Sequence, residues 1–406
     1  MVKSLRGMND ILTPESERFL YFIENACKIA KNYGYEYIET PLLEETSLFK
    51  RSVGESSDIV GKEMYQFTDK GGNDVCLRPE GTAGVVRAFI EKKFDKAGGV
   101  KRFYYHGAMF RYERPQKGRL REFHQFGVES FGVQSVKEDA TVILMLKDIL
   151  DFFKIDYELE LNSLGCKECM PDYRKKLIEF LDKNSENICE DCKRRRETNP
   201  IRVLDCKNPK CQEIYKNAPL LSDNLCITCN EDFSKLKKIL DDFNVKYKIN
   251  PKLVRGLDYY NKTAFEFIST KIGAQSAIAG GGRYDRLVEF LDGKPTFGIG
   301  FAMGIERLLE LIKMPENTRV GYYIGALCEE ALDLSFQIAQ NLRKEHKTIV
   351  SYEKKSLKNH LKQADKQNIK YCICIGEDEL KQDKIWIKNL ETKEENLLDT
   401  SEFLGE

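Results

Sequence analysis

Residues 110–129, FRYERPQKGRLREFHQFGVE, put five cations (Arg111, Arg114, Lys117, Arg119 and Arg121) among eleven residues, with Pro115 and Gly118 between them. A strand-like run, EFHQFGVESF, follows at once. The pattern reads as a strand, a basic loop and a returning strand, a hairpin that presents arginines to a polyanion. Residues two apart share a face of a strand, so Phe123, Gln125, Gly127 and Glu129 line up. That face carries an aromatic ring, an amide, a gap and a carboxylate, a set suited to a small polar ligand beside a nucleobase. Arg111 closes the preceding run, KRFYYHGAMFR, on the same face as Tyr105, Gly107 and Met109. A guanidinium there can grip a phosphate or carboxylate with two parallel hydrogen bonds.

Three further runs carry chemistry. LRPEGT (77–82) sets Glu80 and Thr82 just before a helix, where the acid suits a ligand ammonium and the hydroxyl suits a ligand or the helix cap. VRGLDYYNKTAFEF (254–267) has Arg255 before a glycine turn and the adjacent Tyr259 and Tyr260, and AGGGRYD (279–285) lets backbone approach a ligand closely. TFGIGFAMGIERLLELI (296–312) is a glycine-punctuated strand entering a helix, with Arg307 on its second turn and Leu308, Leu309 and Ile312 as its apolar face.

Eight of the thirteen cysteines, and none of the four histidines, fall between residues 166 and 229. Cys166-x2-Cys169-x19-Cys189-x2-Cys192 has zinc-ribbon spacing, and Cys206-x4-Cys211-x14-Cys226-x2-Cys229 comes near it. Paired thiolates on a tight turn form half of a tetrahedral site, so one or two structural zinc ions are the chemical reading, with the pairing open. Buried free thiols acting as small apolar side chains are the alternative.

These motifs need a scaffold. Thr13-Pro14-Glu15 marks a helix start, with Thr13 as cap and Pro14 at the first position. Phe19, Phe22, Ile23, Ala26, Cys27 and Ala30 then recur at helical spacing up to Gly34. Residues 82–94 and 138–153 also read as helices. Hairpin-like strands recur without a regular strand–helix alternation, which favours an antiparallel α+β sheet. Residues 166–246 shift to cysteine pairs, lysines and helical patches, an inserted domain. The expected divisions are therefore 1–165 with 247–316, the insert 166–246, and 319–406, with Pro315 and Asn317 marking a linker. The last segment alternates strand and helix (strands 320–326, 348–353, 370–376 and 384–390, helices 328–344 and 356–367), a small α/β domain with parallel pairings.

Composition bounds the function. The chain has 406 residues, 41% of them hydrophobic, and 65 Lys+Arg balance 65 Asp+Glu. A nucleic-acid partner must use a local basic patch rather than a global field. There is no 18-residue apolar run and no apolar core near the N-terminus of the kind a signal peptide carries, so the expectation is a soluble cytoplasmic protein. Thirteen cysteines in such a chain argue for metal or thiol roles over disulfides.

In this order and spacing, RGMNDILTPE, the 110–129 run, LVRGLDYY, AGGGRYD and GIGFAMGIERLL closely resemble histidyl-tRNA synthetases, class II aminoacyl-tRNA synthetases. The resemblance covers nearly the whole chain. It implies an antiparallel six-stranded catalytic sheet, an insertion domain and a C-terminal α/β anticodon-binding domain, in a homodimer whose interface includes YGYEYIETPLLEE. It implies L-histidine, ATP with Mg²⁺, and histidine tRNA as substrates and partners. By resemblance, Arg111, Glu113, Arg119, Phe123 and Arg307 bind ATP, with Phe123 stacked on adenine and Arg307 on the γ-phosphate and the other adenine face. Glu80, Thr82, Arg111, Gln125, Glu129, Arg255, Tyr259 and Tyr260 bind histidine, with Glu129 and Tyr260 on the two imidazole nitrogens. Arg255 and Arg111 are the catalytic cations at the α-phosphate, and Arg114, Gln116 and Arg119 meet the tRNA acceptor end. Zinc is not a general feature of the family. Two alternatives remain: a non-catalytic paralogue serving as the regulatory subunit of ATP phosphoribosyltransferase, which usually lacks the C-terminal domain and an intact catalytic arginine, and a zinc-dependent nucleic-acid-binding module, against which Arg111 and Arg307 speak.

Overall fold

The computed structural model describes residues 2–54, 57, 59–272, 277–314 and 319–404. The chain divides into two compact units, residues 1–313 and 314–406. The linker residues Pro315 and Asn317 lie outside the described residues.

The first unit is built on an eight-stranded sheet. Its centre is the antiparallel series Lys101–Phe110, Glu122–Phe131, Gly298–Gly304, Ala277–Arg283, Asn261–Ile268 and Glu158–Ser163. These are the six strands expected of the catalytic sheet. Two short strands, Glu36–Tyr37 and Lys248–Ile249, extend its edges in parallel. Alternation along the strands divides the faces. Phe126, Val128, Phe265, Phe267, Ile299, Phe301 and Met303 point into the main core, where helices Glu15–Asn32, Val136–Phe152 and Ile227–Asp242 cover them with Phe22, Ala26, Val142, Leu146, Ile149, Phe233 and Leu236. The opposite face is left for the site.

Three local features differ from the sequence reading. The first helix begins at Glu15, with Pro14 rather than Thr13 at the cap position, and no side chain caps it. Helix Thr82–Glu91 starts after Gly81, so Thr82 is its first residue and not its cap. The helix after the last sheet strand is only Ile305–Leu309, which places Arg307 in its first turn.

A buried ion pair ties the sheet to its covering helix. Arg283, 1% exposed, bonds Asp139, 0% exposed, from Nε at 2.7 Å and from Nη2 at 2.6 Å. Its remaining N–H groups donate to the carbonyls of Val133, Gln134 and Ser135 and to Asp285. Thr263 donates to the same aspartate at 2.5 Å. Asp139→Ala strands the guanidinium, and stability is expected to fall by about 3–5 kcal/mol. The exposed Asp205, paired to Lys207 at 3.0 Å, is the control: its replacement by alanine should cost under ~0.5 kcal/mol. Equal shifts of the urea midpoint in the two variants would contradict the keystone role of the Arg283–Asp139 pair.

The insert is helical, comprising Met170–Lys183, Glu190–Thr198, Pro209–Ile214 and short 3₁₀ turns. It has its own core around Tyr173, Leu177, Leu181, Val203 and Tyr215. Its last helix, Ile227–Asp242, instead packs on the main sheet.

The second unit is a five-stranded sheet ordered Thr348–Val350, Tyr322–Ala326, Tyr371–Ile375, Lys384–Asn389, Glu395–Asp399. The first three strands pair in parallel, as expected, but the last two pairings are antiparallel. Helices Leu332–Leu342 and Leu357–Lys366 flank the sheet, the second of them the lysine-rich one. Among the described residues no helix is long and apolar enough to cross a membrane.

Candidate functional site

The site face of the sheet is a floor of small residues. Gln125, Gly127 and Glu129 lie opposite Gly304, Ala302 and Gly300 on the neighbouring strand. Ala302 and Gly300 in turn lie opposite Gly280 and Gly282. A Cβ at Gly280 would strike the Arg255 guanidinium, one at Gly282 the Thr263 carbonyl and the Tyr260 ring, and one at Gly300 the Glu129 carboxylate. The glycine run thus makes room for side chains that themselves face the site.

At one end of the floor stands Glu129, 1% exposed. Thr82 donates to its Oε1 at 2.7 Å, Tyr105 to the same oxygen at 3.2 Å, and Tyr284 to Oε2. Tyr105 is wedged between Gly81 and Gly127, where any Cβ would overlap its ring. Burial pushes the Glu129 carboxyl up to about 8, against the opposing pull of the three hydroxyls. Tyr259 and Tyr260 close the wall beside Tyr284, with ring centroids 4.7 Å apart for the first pair and 5.7 Å for Tyr259 and Tyr284. Glu80 is also buried, and its two oxygens accept the Thr82 and Ala83 backbone N–H groups at 2.8 Å each. It caps the helix, a role not anticipated from the sequence. A carboxylate has about four acceptor sites, so two remain for a ligand ammonium.

Arg255 lies over this floor. Its Nη1 pairs with Glu266 at 2.6 Å, and its guanidinium sits 5.7 Å from the Tyr260 ring centroid. Burial opposes its charge, but Glu266 and the two tyrosines outweigh that and raise its pKa. Three buried polar atoms around the floor have no hydrogen-bond partner among the described residues: Gln125 Oε1, Tyr259 Oη and Arg255 Nε. Unmet buried polar atoms in a native fold are rare, and here they bring together an acceptor, a hydroxyl and a donor.

The other end is cationic. The Arg111 guanidinium lies 5.2 Å from the Phe123 ring centroid, and its Nε donates to the Pro79 carbonyl at 2.9 Å. Arg119 pairs with Glu113 at 2.8 Å. Arg307 Nε donates to the Gly118 carbonyl at 2.9 Å and its Nη1 to the Ala277 carbonyl at 2.8 Å. Burial, reinforced by the neighbouring Arg119 and Arg111, lowers the Arg307 pKa. A cluster of cations about a buried guanidinium forms an anion site. Glu306, unnoticed in the sequence, fixes the strand beneath by accepting from the His124 backbone N–H at 2.9 Å and contacting its Nδ1 at 2.8 Å.

Arg114 and Gln116 are exposed on the loop. Its tip is a tight turn in which the Gln116 and Arg119 backbones exchange bonds of 3.0 and 2.9 Å.

The cysteines form two tetrads, nested rather than successive. Cys166, Cys169, Cys226 and Cys229 make the outer one, and Cys189, Cys192, Cys206 and Cys211 the inner. Within each tetrad all four sulfurs lie within 4.8 Å of one another. Cys166–Cys169, Cys166–Cys226 and Cys189–Cys206 separations are each 3.8 Å. A tetrahedral zinc with bonds of about 2.3 Å requires sulfur separations of about 3.8 Å, far beyond a disulfide's ~2.05 Å. Backbone N–H groups of Cys226 and Cys189 point at Cys169 and Cys211 sulfurs, at 3.1 and 3.2 Å, and suit thiolates.

Comparison with known proteins follows the same division of the chain. The family described as "Histidyl-tRNA synthetase" matches residues 7–308, and the "Anticodon binding domain" family matches residues 315–406. A histidine–tRNA ligase of Sulfurimonas denitrificans is 67% identical, over 98% of this chain and 99% of its own length. One from Campylobacter fetus subsp. fetus is 60% identical over 100% of both. The crystal structure of apo Staphylococcus aureus histidyl-tRNA synthetase superposes with a TM-score of 0.84 at 34% identity, over 100% of both chains. A Bacillus halodurans C structure described as an ATP phosphoribosyltransferase regulatory subunit/histidyl-tRNA synthetase has a TM-score of 0.67 at 20% identity, covering 93% of this chain and 98% of that one, a likeness of fold alone.

Proposed function

The chain belongs to the histidyl-tRNA synthetase family, and we propose that the floor between Glu129 and Arg307 joins L-histidine to ATP before the amino acid passes to histidine tRNA. The enzyme is an ATP-dependent ligase, a histidine–tRNA ligase. The observation that carries the residue assignment is the coincidence of unmet polar atoms at Gln125, Tyr259 and Arg255 with the buried Glu129 at one end and the arginine cluster at the other. A regulatory, non-catalytic role is not favoured, since the close relatives over the full length are ligases.

Neutral imidazole offers one donor and one acceptor. Glu129 takes the donor, Tyr260 serves the acceptor with Tyr259 beside it, and Glu80, Thr82 and Gln125 meet the amino end. The histidine carboxylate is ionised near neutral pH and needs no general base. Its oxygen attacks the α-phosphorus in line, the bond to the β-phosphate bridge breaks, and pyrophosphate leaves with the electron pair. Catalysis is then positioning and cationic stabilisation. Arg111 and Arg255 hold the α-phosphate and the carboxylate. Phe123 stacks under adenine, and Arg307 covers its other face and reaches the γ-phosphate, with Arg119 alongside. Mg²⁺ bound to the nucleotide would supply charge neutralisation on the pyrophosphate side. Glu113 and Glu266, two carboxylates that act on Arg307, are both already paired to arginines, so the ion is expected to arrive with the nucleotide. In the second step a hydroxyl of the tRNA 3′ end attacks the carbonyl carbon and AMP leaves.

The exposed Arg114 and Gln116, with Arg119, are assigned to the acceptor end of the tRNA, and the second unit to its anticodon. Gln116→Ala is expected to slow transfer to tRNA about tenfold while adenylate formation stays within twofold, since the residue is remote from the floor. Equal loss in both steps would contradict it. A homodimer is proposed, joined through residues 33–45, where Tyr37, Leu42 and Leu43 are each nearly half exposed. Each cysteine tetrad fits one structural zinc. The cytoplasm, where thiols stay reduced, is the compartment assigned. The functional test is charging: a histidine tRNA transcript should accept labelled histidine with ATP, and an alanine tRNA transcript should not. Failure with the first would remove the reading.

A further inference from the structure

The segment carrying Arg255, Tyr259 and Tyr260 is held from two sides, and on the sheet side Asn162 donates to the Leu253 carbonyl at 2.9 Å and Arg255 pairs with Glu266. It is a loop between Lys248–Ile249 and Asn261–Ile268. Two further clamps come from the insert. Asn199 Nδ2 donates to Asp258 Oδ1 at 2.8 Å, and Arg202 Nη2 donates to the Gly256 carbonyl at 3.1 Å. Val254 and Tyr260 pack on the insert's own core, which contains Cys192, Cys206 and Cys211.

Both clamp residues lie inside the inner tetrad. Asn199 follows helix Glu190–Thr198, whose N-terminus carries Cys189 and Cys192. Arg202 sits in the turn Pro200–Asp205, which ends at Cys206. The helix bears four basic and three acidic residues and buries one side chain, Cys192. A helix of nine residues with so little apolar surface depends on outside anchors, and beside Cys192 these include Arg196 on Asp182 at 2.5 Å and Arg195 on the Arg202 carbonyl at 3.2 Å. The sulfurs at its start and at the end of the following turn are its buried anchors and help set where Asn199 and Arg202 stand.

We propose that a zinc ion in the inner tetrad positions the Arg255–Tyr260 loop through Asn199 and Arg202, making histidine binding depend on a metal that does not touch the substrate. Asn199 and Arg202 are positioning residues. The inference rests on the reading of the floor as the histidine pocket.

The test uses the full-length protein and three variants: the double variant Asn199→Ala/Arg202→Ala, the milder Arg202→Lys, and Cys211→Ser. Zinc per chain is measured by elemental analysis, and KM values for histidine and for ATP by pyrophosphate exchange. The double variant should keep the parent's two zinc ions, raise the histidine KM about tenfold and leave the ATP KM within twofold, because the loop faces the amino acid. Arg202→Lys keeps a donor and should stay near the parent. Cys211→Ser should lose one zinc and show the same selective rise. A parent protein with fewer than about 0.2 zinc per chain would overturn the metal's part. An unchanged histidine KM in the double variant, or equal rises for both substrates, would overturn the clamp. Parent protein without histidine-dependent exchange would instead count against the histidine reading itself.

Discussion

Replacing Arg255 with alanine is expected to lower histidine-dependent pyrophosphate exchange by about 10³-fold while histidine still binds. The guanidinium stands over Gly280, held by Glu266 at 2.6 Å, with Nε unmet. It is thus a fixed, desolvated cation, and in the proposed reading it stabilises charge spreading on the α-phosphate without reorganisation. Histidine's ring and amino group are met by other residues, so its equilibrium binding should change less than tenfold. Arg255→Lys tests geometry against charge. A lysine lacks the planar fork and should recover only part of the rate. Near-normal exchange in the alanine variant, checked against zinc content and thermal stability, would remove Arg255 from the chemistry.

Glu129→Gln carries the second large effect. In the proposed reading the carboxylate accepts from the imidazole N–H, and its oxygens are placed by Thr82, Tyr105 and Tyr284. An amide offers the imidazole N–H a neutral oxygen or a clashing donor in place of a carboxylate. A buried mismatch of that kind costs about 3–4 kcal/mol, so kcat/KM for histidine should fall ~10²–10³-fold with the KM for ATP little changed. Stability should move the other way, and the sign follows from the raised pKa. Below the ordinary carboxyl value of 4.5 Glu129 is protonated in both the folded and the unfolded chain. Between 4.5 and about 8 the unfolded chain has released the proton and the folded chain has not, so stability falls as pH rises through that window. Glutamine cannot titrate. The variant should therefore be more stable than the parent at pH 8 by roughly 2–4 kcal/mol, with most of the difference gone at pH 4. A stability difference independent of pH would show that Glu129 is not held protonated in the empty pocket.

Much of the site was legible because strand periodicity is a local property. Phe123, Gln125, Gly127 and Glu129 share a face as expected, and their partners across the sheet follow from the register. The roles of Tyr105, Tyr284 and Glu306 were not legible, since each acts on a residue at least 24 positions away in the chain. The Arg283–Asp139 pair spans 144 positions and leaves no local pattern at all. Cysteine spacing marked the close pairs but not how they combine into tetrads. Each half-site is a local turn, whereas nesting depends on the return of Ile227–Asp242 to the base of the insert. The glycine run 280–282 was read as space for a ligand, and much of that space is taken by Arg255 and Tyr260. Strand 395–399 was missed because it is largely exposed, and the antiparallel pairing of Lys384–Asn389 with Tyr371–Ile375 follows from a connection of only eight residues, 376–383, too short for the crossover that a parallel pairing needs.

The most direct test of the central claim is ATP–pyrophosphate exchange run separately with each of the twenty amino acids. The geometry around Glu129 and the tyrosines expects exchange with histidine, with every other amino acid at least ~10⁴-fold weaker, because a site built to satisfy both ring nitrogens leaves its own groups unpaired with any other side chain. Exchange with several amino acids, or with none in a folded, zinc-loaded protein, would contradict it.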